Sequence, residues 1–342
     1  MEVKVFDRFL DNIKLQKSNL AAWFDAAPKN KLAVNLGGTD QSAVEERLEV
    51  IENSIEKSKD GTLGICEVCH GYVDTELLEV DYTACVCLDH FTEEERRSLE
   101  YELELAQMFQ HRLLDHRGLQ IPGVDVAAFS RPAQIIGGDF FDIFSLPDGA
   151  YVLVIADIAG HGVSASLYMS SLQTALRAIS PTTSSPTEIV EKIQHLYSHN
   201  IHFPTFATLF FAIFDPSSSR LTYINAGHNP PLLLCRYSPS EVNTTWLQPT
   251  GPAIALVEEP SFDAKSVALH PGDLLLLYTD GVTEAMNQQE FFGRDRLAAS
   301  AQAAIDLPAR SLLDSLWQTL ASYTQGYPLA DDTTMVVFKL NE

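Results

Sequence analysis

The sequence predicts an α+β protein built on antiparallel sheets, preceded by a separate helical and cysteine-rich module. Three observations carry this. From residue 121 onward, strand-sized apolar runs alternate with turn residues, at 124–129, 140–144, 151–155, 207–214, 221–225, 232–235, 274–278 and 334–340. Helical runs are grouped between them, at 163–179, 187–199, 294–305 and 309–323, instead of following every strand. Strands that succeed one another in this way form hairpins, unlike a βαβ repeat. Before residue 120 the pattern is different, with helical periodicity and four clustered cysteines.

These patterns divide the 342 residues into a helical segment (1–60), a cysteine-rich stretch (61–91), a linker helix (92–117) and the α+β region (118–342). In the first segment Phe6, Phe9, Leu10, Ile13, Leu15 and Leu20 have roughly helical spacing. Residues 35–39, Asn-Leu-Gly-Gly-Thr, break it. A second helix spans about 41–59, with Val44, Leu48, Ile51 and Ile55 forming one apolar stripe. Lys59-Asp60-Gly61 reads as its stop. Thr92-Glu-Glu-Glu95 has the form of a capping box and opens the linker helix. Leu99, Leu103, Ala106, Phe109 and Leu113 make one face of that helix, widened by Leu105 and Met108. Such a face either packs on the next domain or pairs with a second copy, and a homodimer through this helix is expected.

Cys66-Glu-Val-Cys69 is followed, seventeen residues later, by Cys87-Leu-Asp-His90. Each pair can wrap one side of a tetrahedral ion, so Cys66, Cys69, Cys87 and His90 are the expected ligands of one structural Zn²⁺. Cys85 could replace Cys87 or His90. Residues 1–12 carry Asp and Lys and no long apolar core, so no signal peptide is expected, and close-set cysteines then read as metal ligands. A formal net charge of −23 argues against nucleic acid and against an anionic membrane surface as partners. The apolar runs are strand-sized, well short of a membrane helix. A soluble, cytoplasmic protein is expected.

Acidic residues stand at the ends of the apolar runs. Asp139 lies in Gly137-Gly-Asp-Phe-Phe-Asp142, Asp157 in Ala156-Asp-Ile-Ala-Gly-His-Gly162, Asp280 in Tyr278-Thr-Asp-Gly-Val-Thr-Glu284, and Asp331-Asp332 before the last strand. Carboxylates at strand ends can converge on hard cations such as Mg²⁺ or Mn²⁺, which take oxygen ligands. Each has a plainer reading as a turn or cap residue. Asp142 reads as a residue behind the site or a surface turn. His161 is a weaker candidate, as general acid. His228, in Ala226-Gly-His-Asn-Pro230, reads as part of a turn between hairpin strands.

Two resemblances bear on these motifs. Residues 35–91, with Asp60-Gly-Thr-Leu-Gly-Ile-Cys66-Glu-Val-Cys69, resemble the zinc finger of the DksA/TraR family, with His90 in place of the usual Cys. That family binds RNA polymerase, some members through a long coiled coil. The helices here are short, so a sensory or docking role is expected instead. Residues 100–340 resemble the PPM-type serine/threonine phosphatases of the SpoIIE/RsbU branch. The likeness includes Glu102-Leu-Glu-Leu-Ala106 with Leu113-Leu114 in the linker helix, and then all the acidic motifs and Ala226–Pro230 in the family's order.

The second resemblance implies two packed antiparallel sheets flanked by helices, with two Mn²⁺ or Mg²⁺ ions at one end. It implies that Asp157 bridges the ions with the Ile158 carbonyl as a further ligand, that Asp139 serves one ion partly through water, and that Asp280 and Asp331 hold the other side. Adjacent Asp332 could exchange roles with Asp331; the motif position favours Asp331. Two close cations lower the pKa of a shared water for in-line attack on phosphorus. The implied substrate is a phosphoserine or phosphothreonine protein, of the anti-sigma-factor antagonist type in a partner-switching pathway. The N-terminal module would regulate turnover through the linker helix.

A nucleotide cyclase fits poorly, because Phe140 stands where that signature needs an acid and because Asp280 and Asp331 would be idle. The alternative from another class is a non-enzymatic zinc-finger regulator binding RNA polymerase or another protein.

Overall fold

The computed structural model describes residues 41–73, 77–78, 83–114, 120–133, 135–160, 162–200, 205–238, 241–287, 290–327 and 329–341. The helix and break expected within residues 1–40 lie outside these. The chain forms two compact units, Met1–Glu102 and Leu103–Glu342. No helix among the described residues is long and apolar enough to cross a membrane.

In the first unit, helix α1 (Gln41–Lys59) buries Ile51, half-buries Leu48 and Ile55, and ends on Lys57 and Lys59, whose charges suit a helix C-terminus. A bridge between Ile65 and Tyr72 closes the first cysteine loop. A small core of Cys66, Val73, Leu77, Leu78 and Cys87 fills the stretch that follows. Helix α2 (Glu93–Leu113), whose residues from Leu103 on belong to the second unit, begins directly after Thr92, whose carbonyl accepts the Arg96 amide at 3.0 Å.

The second unit is a sandwich. One sheet has the order β1-β10-β9-β6-β7 and the other β2-β3-β4-β5-β8. All pairings between neighbouring strands are antiparallel. The first comprises β1 (Val124–Arg131), β6 (Leu232–Ser238), β7 (Glu241–Trp246), β9 (Leu274–Tyr278) and β10 (Thr333–Leu340). The second comprises β2 (Phe140–Ser145), β3 (Tyr151–Ile158), β4 (Ala207–Asp215), β5 (Arg220–Ala226) and β8 (Lys265–Ala268).

Side chains alternate between the two faces of a strand. Phe141, Ile143, Leu153, Ile155 and Phe210 therefore meet Leu275, Leu277, Val336 and Phe338 between the sheets. The opposite face of the second sheet, with Val152, Val154, Ala156 and Phe211, is covered by α3 (Gly162–Ile179) and α4 (Pro186–Asn200). The outer face of the first sheet packs under α6 (Gly293–Ala303) and α7 (Ala309–Thr324), with the single turn α5 (Asp280–Thr283) following β9. Coverage on both faces explains why the central strands read as continuous apolar runs.

The sequence missed β7 and β8. Both are edge strands of largely exposed, polar residues, without a run to find. Residues 227–230 do not join a hairpin, because β5 and β6 belong to different sheets, and this segment carries the chain from one to the other.

Candidate metal centre and active site

Position parity brings the acids together. Asp139 precedes β2 in phase with Phe141 and Ile143, and Asp157 is the penultimate residue of β3, in phase with Leu153 and Ile155. Both carboxylates therefore face the gap between the sheets at one end. From the other sheet, Asp280 follows β9 and Asp331 precedes β10. Burial and then repulsion from Asp280, Asp331, Asp332 and Glu284 push Asp157 up to about 7. Burial, Asp331 and Glu284 raise Asp280 to about 6. Burial, Asp157 and Asp332 hold Asp139 well above the usual carboxylate range. The four predicted acids are thus near enough to disturb one another. Asp332 and Glu284 join them, and Glu284 had no signal beyond its place in the Asp280 motif. Cations would relieve this repulsion, and an all-oxygen donor set suits Mg²⁺ or Mn²⁺.

Asp331 and Asp332 take different parts. Asp332 Oδ2 accepts the Gly138 amide at 2.7 Å and Oδ1 accepts the Ala133 amide at 2.8 Å. A β-carbon at Gly137 would collide with this carboxylate. Asp331 is exposed, and its Oδ1 accepts the adjacent Asp332 amide at 2.8 Å. The Ile158 carbonyl faces Gly138, where a β-carbon would approach it to 3.0 Å.

Buried Gln110 of α2 grips the same loop, donating to the Gly137 carbonyl at 2.7 Å and accepting its amide at 3.2 Å. Behind it, Asp142 is no surface turn. It is buried and accepts Arg177 Nε at 2.6 Å and Nη2 at 2.7 Å. Gln173 donates to both Asp142 and the Leu113 carbonyl.

His161 lies outside the described residues. His228 is buried, with Nδ1 2.7 Å from Thr208 Oγ1, and burial lowers it to about 4. It is a core imidazole held against β4, at the residue paired with Asp157.

In the first unit, ligand atoms of Cys66, Cys69, Cys87 and His90 all lie within 4.8 Å of one another. Cys85 is not in this group. The Cys87 amide donates to Cys66 Sγ at 3.4 Å. Main-chain amides of Cys69 and Cys87 pull the Cys66 thiol down to about 6. Three sulfurs and one imidazole in this space suit tetrahedral Zn²⁺.

The family described as stage II sporulation protein E (SpoIIE) matches residues 147–341, more than half of the chain. The chain belongs to the SpoIIE family. It is 31% identical over 268 residues to protein IcfG of Synechocystis sp., covering 70% of this chain and 42% of IcfG. It is 26% identical over 245 residues to the phosphoserine phosphatase RsbU of Bacillus subtilis, covering 71% of each. The chain thus spans less than half the length of one of these relatives. The SiaA-PP2C domain of Pseudomonas aeruginosa superposes with a TM-score of 0.64 at 22% identity, covering 72% of this chain and 98% of that domain. The fold is the PP2C sandwich that the SpoIIE-like motifs imply.

Proposed function

We propose that this SpoIIE-family protein is a divalent-metal-dependent phosphatase acting on phosphoserine or phosphothreonine in a partner protein. The observation that carries the reading is the convergence of Asp139, Asp157, Asp280 and Asp331 from four stretches of chain, with burial and mutual repulsion raising three of them. These carboxylates and the Ile158 carbonyl would hold two Mn²⁺ or Mg²⁺ ions. Such ions supply Lewis-acid activation of water and neutralise charge on the phosphoryl group. The chain's own part is positional. Asp332 and Gln110 both hold the Gly137–Asp139 loop through its main chain, so that the Asp139 carboxylate is in place before substrate arrives.

Likeness to RsbU supports an anti-sigma-factor antagonist as the substrate class, met in the cytoplasm. The Cys/His cluster supports one structural Zn²⁺ in a DksA/TraR-like finger over residues 61–91. On α2, Met108 (45% exposed), Phe109 (58%) and Leu113 (41%) leave an apolar strip uncovered, while Gln110 faces inward. That strip supports a homodimer through residues 92–117. The Gln110 and Gln173 contacts give this helix a route by which the N-terminal module could regulate residues 118–342.

The test is hydrolysis of p-nitrophenyl phosphate and of a phosphoserine antagonist protein, with Mn²⁺, with EDTA and with Asp157→Asn. Turnover that needs Mn²⁺ and disappears with the substitution is expected. Wild-type protein that binds both Mn²⁺ and the phosphoprotein but turns over neither substrate would favour the non-enzymatic regulator.

A further inference from the structure

We infer that the Thr279 hydroxyl is a positioning group for Asp139, linking the two sheets across the acidic cluster. The inference rests on the metal-centre reading above and adds to it a residue that contributes no ligand atom.

Thr279 follows β9 in phase with Leu275 and Leu277, so its side chain enters the gap between the sheets. It is fully buried. Oγ1 lies 2.7 Å from Asp139 Oδ2 and 3.0 Å from the Thr334 amide nitrogen. The direction of the hydrogen bonds follows from chemistry. An amide N–H can only donate, so Oγ1 accepts from Thr334 and its one proton points elsewhere. The Asp139 oxygen takes that proton at 2.7 Å; the competing Asp332 carbonyl is at 3.4 Å. The result is a relay from the Thr334 amide through the Thr279 hydroxyl to Asp139. Thr334 lies in phase with Val336 and Phe338 on the same inner face.

The relay joins different sheets. Thr279 and Thr334 belong to the sheet that brings Asp280 and Asp331, and Asp139 to the sheet that brings Asp157. Holding Oδ2 fixes the rotation of the Asp139 carboxylate at the acidic cluster and ties it to the opposite sheet. A Val at 279 would fill the same volume but would take away the acceptor of the Thr334 amide and one of the two hydroxyl partners of Asp139, the other being the Thr334 side chain. A Ser keeps the relay and loses only a methyl group. Losing a partner that orients a ligand in this way typically costs about 10- to 100-fold in metal affinity or activity.

The experiment is calorimetric titration of the metal-free full chain with Mn²⁺, for wild type, Thr279→Val and Thr279→Ser, with a metal-free melting curve for each. The expected result is about 10- to 100-fold weaker Mn²⁺ binding for Thr279→Val and a change under about threefold for Thr279→Ser, as for other outer-shell partners. Turnover of p-nitrophenyl phosphate by Thr279→Val should recover at saturating Mn²⁺. A folded Thr279→Val with wild-type affinity overturns the inference, as does a Thr279→Ser as weak as the Val variant, which would make the role one of packing. If Thr279→Val does not fold, Thr279→Cys takes its place, with a poorer donor and the same direction expected; unchanged affinity there overturns the inference. Wild-type protein that binds no Mn²⁺ overturns the metal-centre reading and this inference with it.

Discussion

Asp332 Oδ2 accepts the Gly138 amide at 2.7 Å, across 194 residues of sequence. With Oδ1 on the Ala133 amide, both oxygens of this carboxylate are engaged by main chain, while its neighbour Asp331 stays exposed at the cluster. The two aspartates should therefore separate under mutation. Asp331→Asn should weaken Mn²⁺ binding at least about tenfold with little loss of metal-free stability. Asp332→Asn should lower stability by roughly 1–3 kcal/mol, because Asn keeps one acceptor oxygen and turns an NH₂ toward the other main-chain N–H. Calorimetry and melting curves on both variants decide this; the reverse assignment would show the opposite pattern.

Metal-free stability should fall as pH rises through the acidic cluster. Asp157 goes from an ordinary 3.8 to about 7 in the folded protein, and Asp280 to about 6. A raised carboxyl binds its proton more tightly in the folded state, so its stabilising effect is complete below about pH 4 and is lost by about pH 7. Subtracting the melting curve of Asp157→Asn from that of wild type should isolate a decline over this window, at roughly 2–4 °C per kcal/mol for a domain of this size. Saturating Mn²⁺ should abolish the decline. A flat difference curve would mean the cluster is not strained in the absence of metal.

Removing the Gln110 amide should loosen the loop that carries Asp139. Gln110→Met keeps the packing and leaves the buried Gly137 amide and carbonyl unpaired, at a cost of about 1–3 kcal/mol for each buried group. The expected signature is a lower melting temperature and faster amide exchange at Gly137 and Gly138. Unchanged exchange there would mean the clamp is redundant.

Zinc content should follow the ligand set and not the cysteine count. Cys85→Ser should retain one Zn²⁺ per chain, as read by a chromogenic chelator after thiol modification. Cys66→Ser, Cys69→Ser, Cys87→Ser or His90→Ala should each lose it or bind it far more weakly. Loss of zinc in Cys85→Ser would replace the ligand set that the geometry favours.

Much of the sandwich was legible because its central strands are covered on both faces. A run such as Leu274-Leu-Leu-Leu-Tyr278 has no exposed side to dilute it. The edge strands β7 and β8 were not legible, since one exposed face and an unpaired border leave polar residues with no run. The acids could be singled out from their place at strand ends, but the division of labour between Asp331 and Asp332 could not. Adjacent residues point in different directions, and only the fold shows which one meets the Gly138 amide. Gln110 and Thr279 left no trace for a related reason: each acts through hydrogen-bond partners far away in sequence. His228 reads in the sequence as a turn residue because a crossing between sheets and a hairpin use the same glycines and prolines.

The pairing of β1 with β10, Val124 opposite Leu340, also bears on the order in which the molecule is assembled. β10 lies between β1 and β9, so the first sheet has a gap until the last strand arrives. A chain still emerging from the ribosome can complete the second sheet, whose strands follow one another closely, with β8 the most distant. It cannot close the first sheet, and it cannot bring Asp331 to the others. Contacts of such long sequence separation form slowly. Metal affinity should therefore appear late and abruptly in refolding, after most of the helical signal has returned, so that a half-made chain holds no competent centre.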